Sequence, residues 1–353
     1  MKEFTTHIGG ERTIRAECGL LSRAGGELTL FGNDRRVAVL ADRRTFSLHG
    51  PVLINSLTAA GYRPMPFLFR ATERRKNPAT LRAVLSFFAK KDMDKEDIVL
   101  CLGGEVLSDI GLMAASLYRG GLRTVLCPTT LAAQLLTSTG IECAVNFRGR
   151  RNCVGLSRVP ELVLIDPSLL SASPKKEIAC GMAYLIQYAM IADRALFDSL
   201  IEESQTPDLS ELVPRCIEET LKLCEGDSAG QNNRGLLRFG HTLADSLVMT
   251  SRGRIPGGYA LSIGMAELTR AAGNTGLCDR LLAEKLVALL RKFHLPTVSP
   301  YPIRRLLSRL IKDRKAKEGE MTVVIPLRPG TCEARVFRVA EAYRLFASSS
   351  PSV

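Results

Sequence analysis

Ile98-Val99-Leu100-Cys101-Leu102-Gly103-Gly104-Glu105-Val106-Leu107-Ser108-Asp109 decides the fold. The unbroken apolar run suits a strand buried on both faces, the glycine pair makes a tight turn, and a helix-period stretch, Val106 to Tyr118, follows. Three further runs share this character: Val37-Ala38-Val39-Leu40-Ala41, which ends at Asp42, then Thr124-Val125-Leu126-Cys127-Pro128, and Leu162-Val163-Leu164-Ile165-Asp166-Pro167. With the helix-period stretch Pro78 to Lys90 between them, they predict a parallel sheet covered by helices on both faces. A strand-to-helix turn aims backbone amides and a helix dipole at one point, where a pyrophosphate can sit; it serves equally well as a plain connection.

Beyond Pro167 the pattern turns helical. Ile178 to Leu200, Leu209 to Cys224, Gly240 to Ser251, Tyr259 to Ala272 and Arg280 to Lys292 have helical periodicity with Gly, Pro and Asn between them, and one late β segment is Thr322-Val323-Val324-Ile325-Pro326. The expected architecture is an α/β N-terminal domain with a parallel sheet, residues 1–167, and a mainly α-helical C-terminal domain, residues 168–353, with a ligand cleft between them. Only the tail from Ser348 to Val353 reads as disordered.

Composition narrows the class. Hydrophobic residues at 46% and charged residues at 24% describe a soluble globular chain. No apolar run reaches the ~18 residues that span a bilayer, and Met1 to His7 starts no signal peptide, so no membrane association and a cytoplasmic location are expected. The ten cysteines include no Cys-x-x-Cys pair and several lie in apolar runs, which predicts reduced, buried thiols. The net charge of +12 is dispersed over segments such as Arg74-Arg75-Lys76 and Arg148 to Arg151, without Trp or interleaved aromatics. That excludes a nucleic-acid partner and favours attraction of phosphorylated small molecules.

Of the four histidines, His241 sits in the most informative surroundings, Leu237-Arg238-Phe239-Gly240-His241-Thr242-Leu243-Ala244-Asp245-Ser246. His241 and Asp245, four apart on a predicted helix, can share a metal or form a hydrogen-bonded pair.

The order of segments resembles the 3-dehydroquinate synthase family over nearly the whole chain. It runs from Gly103-Gly104 with Asp109, through Pro128-Thr129-Thr130, Ala144-Val145-Asn146, Arg151-Asn152 and Leu164-Ile165-Asp166-Pro167, to Gly181-Met182-Ala183, Phe239-Gly240-His241-Thr242 and Ile263-Gly264-Met265. The resemblance implies an NAD-binding α/β domain and a zinc-holding helical domain that cyclise a seven-carbon phosphorylated sugar acid. If active, such a chain is a phosphate-eliminating carbon-oxygen lyase, a sugar phosphate cyclase of the shikimate pathway and aromatic amino acid biosynthesis.

Several implied residues are missing. The family's zinc ligands are a glutamate in Gly-x-Ala-Glu-x-x-Lys, the histidine of Gly-His-Thr and a histidine before the Ile-Gly-Met helix. Here these positions hold Tyr184, His241 and Gly257, and the lysine is Gln187. One imidazole cannot hold Zn²⁺ against water, so zinc is not expected and His241 stands as a single surviving ligand. The family's second histidine is Asp245, the asparagine before His241 is Arg238, an aspartate after Ala-Gln is Leu136, and a lysine for an anion is Glu142. A lysine upstream of Asp227 corresponds to Thr220. Arg234 keeps a substrate-side arginine, Asn152 is retained beside it in the expected catalytic set with His241, and Asp313-Arg314-Lys315 resembles a phosphate segment.

The nucleotide positions are better kept. Asp42, Glu73, Lys76, Gly103, Gly104, Asp109, Thr129 and Thr130 match those implied for NAD. Glu105 stands where a third glycine lets pyrophosphate approach, and its carboxylate repels phosphate, so the sequence leaves NAD binding open. Two expectations follow: a non-catalytic homologue, acting as a homodimer or as partner of an active homologue, or an active cyclase or related dehydrogenase with altered metal and substrate use.

Overall fold

The computed structural model describes residues 1–137, 140, 142–202, 207–225, 233–310 and 319–349. The chain forms two compact units, one of residues 1–178 with 208–221 and one of 179–207 with 222–353. The division differs from the expected boundary at 167/168: the segment 208–221 joins the first unit although it lies far along the chain.

The first unit is built on seven strands: β1 (Lys2–Thr6), β2 (Arg12–Ala16), β3 (Arg36–Ala41), β4 (Arg63–Leu68), β5 (Ile98–Gly103), β6 (Arg123–Pro128) and β9 (Leu162–Ile165), in the order β1-β2-β9-β6-β5-β3-β4. All neighbours pair in parallel except β1 with β2, so the sheet is parallel with one antiparallel edge. The four apolar runs form β3, β5, β6 and β9 as expected, and every residue of β5 and β9 is buried. β4 escapes the sequence reading because Pro64 and Pro66 interrupt it; it lies at an edge, where a missing N–H is tolerated. A separate hairpin joins β7 (Glu142–Phe147) to β8 (Arg150–Ser157) through Arg148 and Gly149, both with positive φ as a two-residue hairpin turn requires.

Among helices of eight or more residues, the first unit has α1 (Arg43–Ala59), α2 (Pro78–Lys90) and α3 (Glu105–Leu117), and α6 (Leu209–Glu225) begins in it. Leu53 and Leu57 of α1 pack with Val37, Leu100, Val125 and Leu162 in one buried cluster. Gly111 lets α3 lie directly on β5: a Cβ there would stand 2.2 Å from Cys101 Sγ. Cys101 is one of six buried thiols among the described residues, and burial pushes it up to about 12, as suits an inert small hydrophobe.

The second unit holds most of α4 (Lys175–Ala192), α5 (Arg194–Glu202), α7 (His241–Thr250), α8 (Gly257–Asn274), α9 (Arg280–Lys292), α10 (Ile303–Leu310) and α11 (Val339–Ala347), with a hairpin of β10 (Glu320–Arg328) and β11 (Thr331–Arg338). The expected helix Ile178 to Leu200 is two helices, broken at Asp193, whose carboxylate accepts from the Leu196 amide at 2.9 Å. The first two residues of the tail expected to be disordered are instead held in the fold: Ser348 closes α11 and its carbonyl accepts from Asn274 Nδ2, and Ser349 is buried. Residues 350–353 lie outside the described residues. No helix of the described residues is long and apolar enough to cross a membrane.

Replacing Gly111 by alanine tests the α3–β5 contact, because the two effects oppose one another. Helix propensity favours Ala by about 1 kcal/mol, whereas overpacking against Cys101 costs about 1–3 kcal/mol. Net destabilisation in urea unfolding is expected; stabilisation would contradict the packing.

Candidate functional site

The first unit gathers the nucleotide-face residues into a closed polar network. Asn77 and Pro78 start α2, which leaves Lys76 in the turn before it with its side chain fully buried. Its ammonium pairs with Asp109 on α3 and donates to Asn152 Oδ1 on β8 at 2.8 Å. Asn152 holds this position with a left-handed φ of 48°. Its amide donates to Asn146 Oδ1 at 2.8 Å, and Asn146 Nδ2 donates to Glu73 Oε1 at 2.8 Å. Arg151 Nε donates to the same Glu73 oxygen at 3.3 Å, and its Nη2 lies 3.7 Å from Glu105 Oε1.

Burial acts against the Lys76 charge, but the attraction of Asp109, then of Glu105, outweighs it and holds the ammonium above the usual lysine range. At Glu73 burial also opposes ionisation, and Arg151 with Lys76 wins, keeping the carboxylate below its ordinary range. The cluster thus sets two cations, Lys76 and Arg151, among three carboxylates, Asp109, Glu73 and Glu105, and burial pushes the Asp109 carboxyl up to about 6. Asn146 was not assigned a role from sequence; it reaches Glu73 only through the β7–β8 hairpin, which no local pattern announces.

The glycine turn is as expected. Gly104 caps α3 in an extended conformation, the Thr129 amide donates to Gly103 O at 3.1 Å, and Thr130 caps the short helix Leu131–Leu136. Glu105 is the first residue of α3, so its own carboxylate lies at the helix end where a phosphate would be attracted. Asp42, expected at a ribose, caps α1: Oδ1 accepts from the amides of Arg44 at 2.9 Å and Thr45 at 3.0 Å. The backbone frame fits a dinucleotide, while the charge of Glu105 opposes its pyrophosphate.

The second unit places His241 at the start of α7, after Gly240 with φ of 79°. This turn is locked from outside. A Cβ on Gly264 would stand 2.1 Å from Gly240 O, and one on Gly258 would stand 2.2 Å from Cys180 O, so α8 crosses both α7 and α4 at glycine contacts. Tyr184 is buried on α4 with its ring centroid 6.3 Å from the His241 ring, at 45°. Gln187, one turn further, is buried and donates from Nε2 to the carbonyls of Leu237 at 3.1 Å and Phe239 at 2.6 Å. The amide thus ties down the loop that carries His241, a structural role for a position where the family keeps a lysine.

Asp245 lies one turn along α7, and Arg234 belongs to the short helix Asn233–Leu236; each makes further interactions. Arg238 is exposed. Gly257 opens α8 and has no side chain to serve as a ligand. Tyr184, His241 and Gly257 do not fit Zn²⁺, which takes thiolate, imidazole or carboxylate ligands. Among the described residues, no three His, Cys, Asp or Glu side chains converge in a metal-holding group. Asp227 and Asp313-Arg314-Lys315 lie outside the described residues.

Comparison with known proteins gives a consistent result. The model of the 3-dehydroquinate synthase N-terminal domain matches residues 66–180, and that of the C-terminal domain matches residues 181–316. The 3-dehydroquinate synthase of Streptococcus sanguinis is 31% identical over 314 residues, 87% of this chain and 88% of that protein. That of Enterococcus faecalis is 31% identical over 318 residues, 88% and 89% of the two chains. Among solved structures, 2-epi-5-epi-valiolone synthase from Streptomyces hygroscopicus, with NAD⁺ and Zn²⁺ bound, matches with a TM-score of 0.84 at 25% identity, covering 96% of this chain and 97% of that one. A 2-deoxy-scyllo-inosose synthase complexed with carbaglucose-6-phosphate, NAD⁺ and Co²⁺ shares the fold, with a TM-score of 0.83 at 17% identity over 98% and 99% of the chains.

Two measurements test the network. Lys76→Met leaves Asp109 without its counter-charge and should cost about 3 kcal/mol in urea unfolding. Adding Asp109→Leu should recover most of that loss; an additive double variant would show that the pair does not interact. The pH dependence has a defined sign. A depressed Glu73 stabilises the fold above its unfolded value and loses that contribution as pH falls through the folded value, whereas a raised Lys76 loses its contribution only in strong alkali. Unfolding free energy should therefore drop from pH 7 to pH 4 less steeply in Glu73→Gln than in the parent; equal slopes would contradict the assignment.

Proposed function

Since the chain belongs to the 3-dehydroquinate synthase family, we propose that it keeps the family's fold without running the zinc- and NAD-dependent cyclisation of a seven-carbon sugar acid phosphate. It serves instead as a binding or partner subunit, as a homodimer or with an active homologue, in the cytoplasm. One observation carries this reading: Tyr184, at the position of the family's zinc-binding glutamate, packs its ring against the single remaining histidine. Gly257 provides nothing at the third position, and Gln187 is engaged with backbone carbonyls rather than facing a substrate.

The charge changes support the same reading. Glu142 reverses a charge that the family uses for an anion, and Arg238 replaces a neutral amide. Such reversals alter the pocket's preference for a phosphorylated acid by more than a conservative exchange would. Bound NAD would supply a hydride acceptor, and the Gly103–Gly104 turn would hold its pyrophosphate. This chain's own residues there hold the turn, cap the adjoining helices and neutralise Lys76.

A second reading, an active cyclase or dehydrogenase with altered metal and substrate use, draws on Arg234, His241 and Asn152 and on the intact Lys76–Asp109 pair. The valiolone synthase match gives it a precedent in a cyclase of different product.

Phosphate release from the seven-carbon phosphorylated sugar acid, measured with NAD and Zn²⁺ present and an authentic 3-dehydroquinate synthase as control, separates the two. The expected rate equals the protein-free blank, and turnover above it would overturn the proposal. Independently, Glu105→Gly should tighten NAD binding by about ten-fold, the equivalent of roughly 1.4 kcal/mol, because it removes both bulk and charge at the first turn of α3. An unchanged Kd would show that Glu105 does not obstruct the pyrophosphate.

A further inference from the structure

The second unit contains a cavity of ≈ 930 Å³ between α8, α9 and residues 298–303. It lies toward the C-terminal end of α8; Glu267 on its wall is ten residues, about 15 Å of helix, beyond Gly257. None of the residues assigned above to nucleotide, metal or substrate lines it. Its volume falls within the range of small-molecule sites.

One wall is held in place by an unusual density of polar ties. Ser262 Oγ donates to Pro296 O at 2.6 Å, and Arg270 Nη1 donates to Thr297 O at 2.8 Å. Glu267 Oε1 accepts from the Ser299 amide at 3.4 Å, and Ser299 Oγ donates to Tyr301 O at 2.7 Å. Pro296, Pro300 and Pro302 further restrict the segment. Arg270 and Glu267 are thereby committed to the wall, 3.7 Å apart. The opposite wall is α9, brought close because Gly273 has no side chain: a Cβ there would stand 3.2 Å from Arg280 Cα. Ordering costs are thus met in the folded chain before any ligand arrives.

The remaining lining shows what would be recognised. Arg280, Glu284, Val287 and Arg291 recur along α9 at helical spacing and line the cavity together. Among the described residues, neither Arg280 nor Arg291 makes an ion pair or a side-chain hydrogen bond. Two guanidinium groups and one carboxylate, that of Glu284, line this side of the cavity, leaving a net positive charge. Val287, Val298, Tyr301 and Ile303 supply apolar surface, and Val298 is 61% exposed although it belongs to a fixed wall. Ser349 also lines the cavity; it is 3% exposed and its hydroxyl has no hydrogen-bond partner among the described residues.

We propose that this cavity is a binding site for a small carboxylate with an apolar body, the carboxylate held by Arg280 or Arg291 and the body seated on Val287, Val298 and Tyr301. The site shares no lining residue with the nucleotide face or with His241, and it does not depend on whether the chain is catalytic. Arginine suits a carboxylate because its planar fork donates two parallel hydrogen bonds, and charge-assisted bonds are the stronger class.

Calorimetric titration of the full-length protein with phenylacetate tests the site, with phenylacetamide as the uncharged counterpart and an Arg280→Gln/Arg291→Gln variant as the site control. Both arginines are exposed, so circular dichroism of the variant should match the parent. Saturable phenylacetate binding is expected, weakened about ten-fold by the double substitution and about ten-fold in the amide, the loss of one charge-assisted hydrogen bond. Absence of saturable binding, equal binding of the amide, or an unchanged Kd in the folded variant would each overturn the proposal.

Discussion

The carbonyl of Gly240 lies so close to the α-carbon of Gly264 that a methyl group there would be 2.1 Å from the oxygen. This contact constrains how α8 meets the start of α7. It requires glycine at 264, a positive φ at 240 and a fixed start for α7, and therefore it places His241. A second glycine contact, Gly258 against the Cys180 carbonyl, sets the crossing of α8 with α4, the helix that carries Tyr184. The glycines of the Gly-His-Thr and Ile-Gly-Met segments are thus demanded by backbone packing whether or not a metal is bound. Their persistence reports the fold, and chemistry has to be judged from the side chains that point into the site. There a phenol faces the imidazole and an amide fastens the loop.

The nucleotide domain behaves similarly. Lys76 is completely buried, and a buried ammonium without a counter-charge is strongly unfavourable. Asp109 supplies the charge, Asn152 accepts a second hydrogen bond, and Asn146, Arg151 and Glu73 extend the network to the hairpin. Residues that the resemblance assigns to a cofactor are therefore also bound to one another in this chain's own polar network. Glu105 joins the network through Arg151 and occupies the helix start with its own negative charge.

Much of this was legible in the residues. Unbroken apolar runs specify the buried strands β3, β5, β6 and β9, and helical periodicity specifies α2, α3 and α9, because burial on both faces or on one stripe leaves a local pattern. β4 was hidden by Pro64 and Pro66, whose edge position cannot be known before the strand order. The β7–β8 hairpin turns at Arg148-Gly149, a weaker signal than Asn-Gly, so the element that delivers Asn146, Arg151 and Asn152 was unseen. Asp42 as a helix cap and Gln187 as a loop fastener depend on contacts with residues that only the folded chain identifies. For Gln187 the partners lie fifty and fifty-two positions away.

On the proposed reading, Tyr184 fills the family's zinc position beside His241. Zinc content after purification from zinc-supplemented cells, compared between the parent chain and a Tyr184→Glu/Gly257→His variant, addresses it most directly. Background zinc is expected in the parent and about one zinc per chain in the variant, where the Glu-His-His set is restored. Stoichiometric zinc in the parent would contradict it.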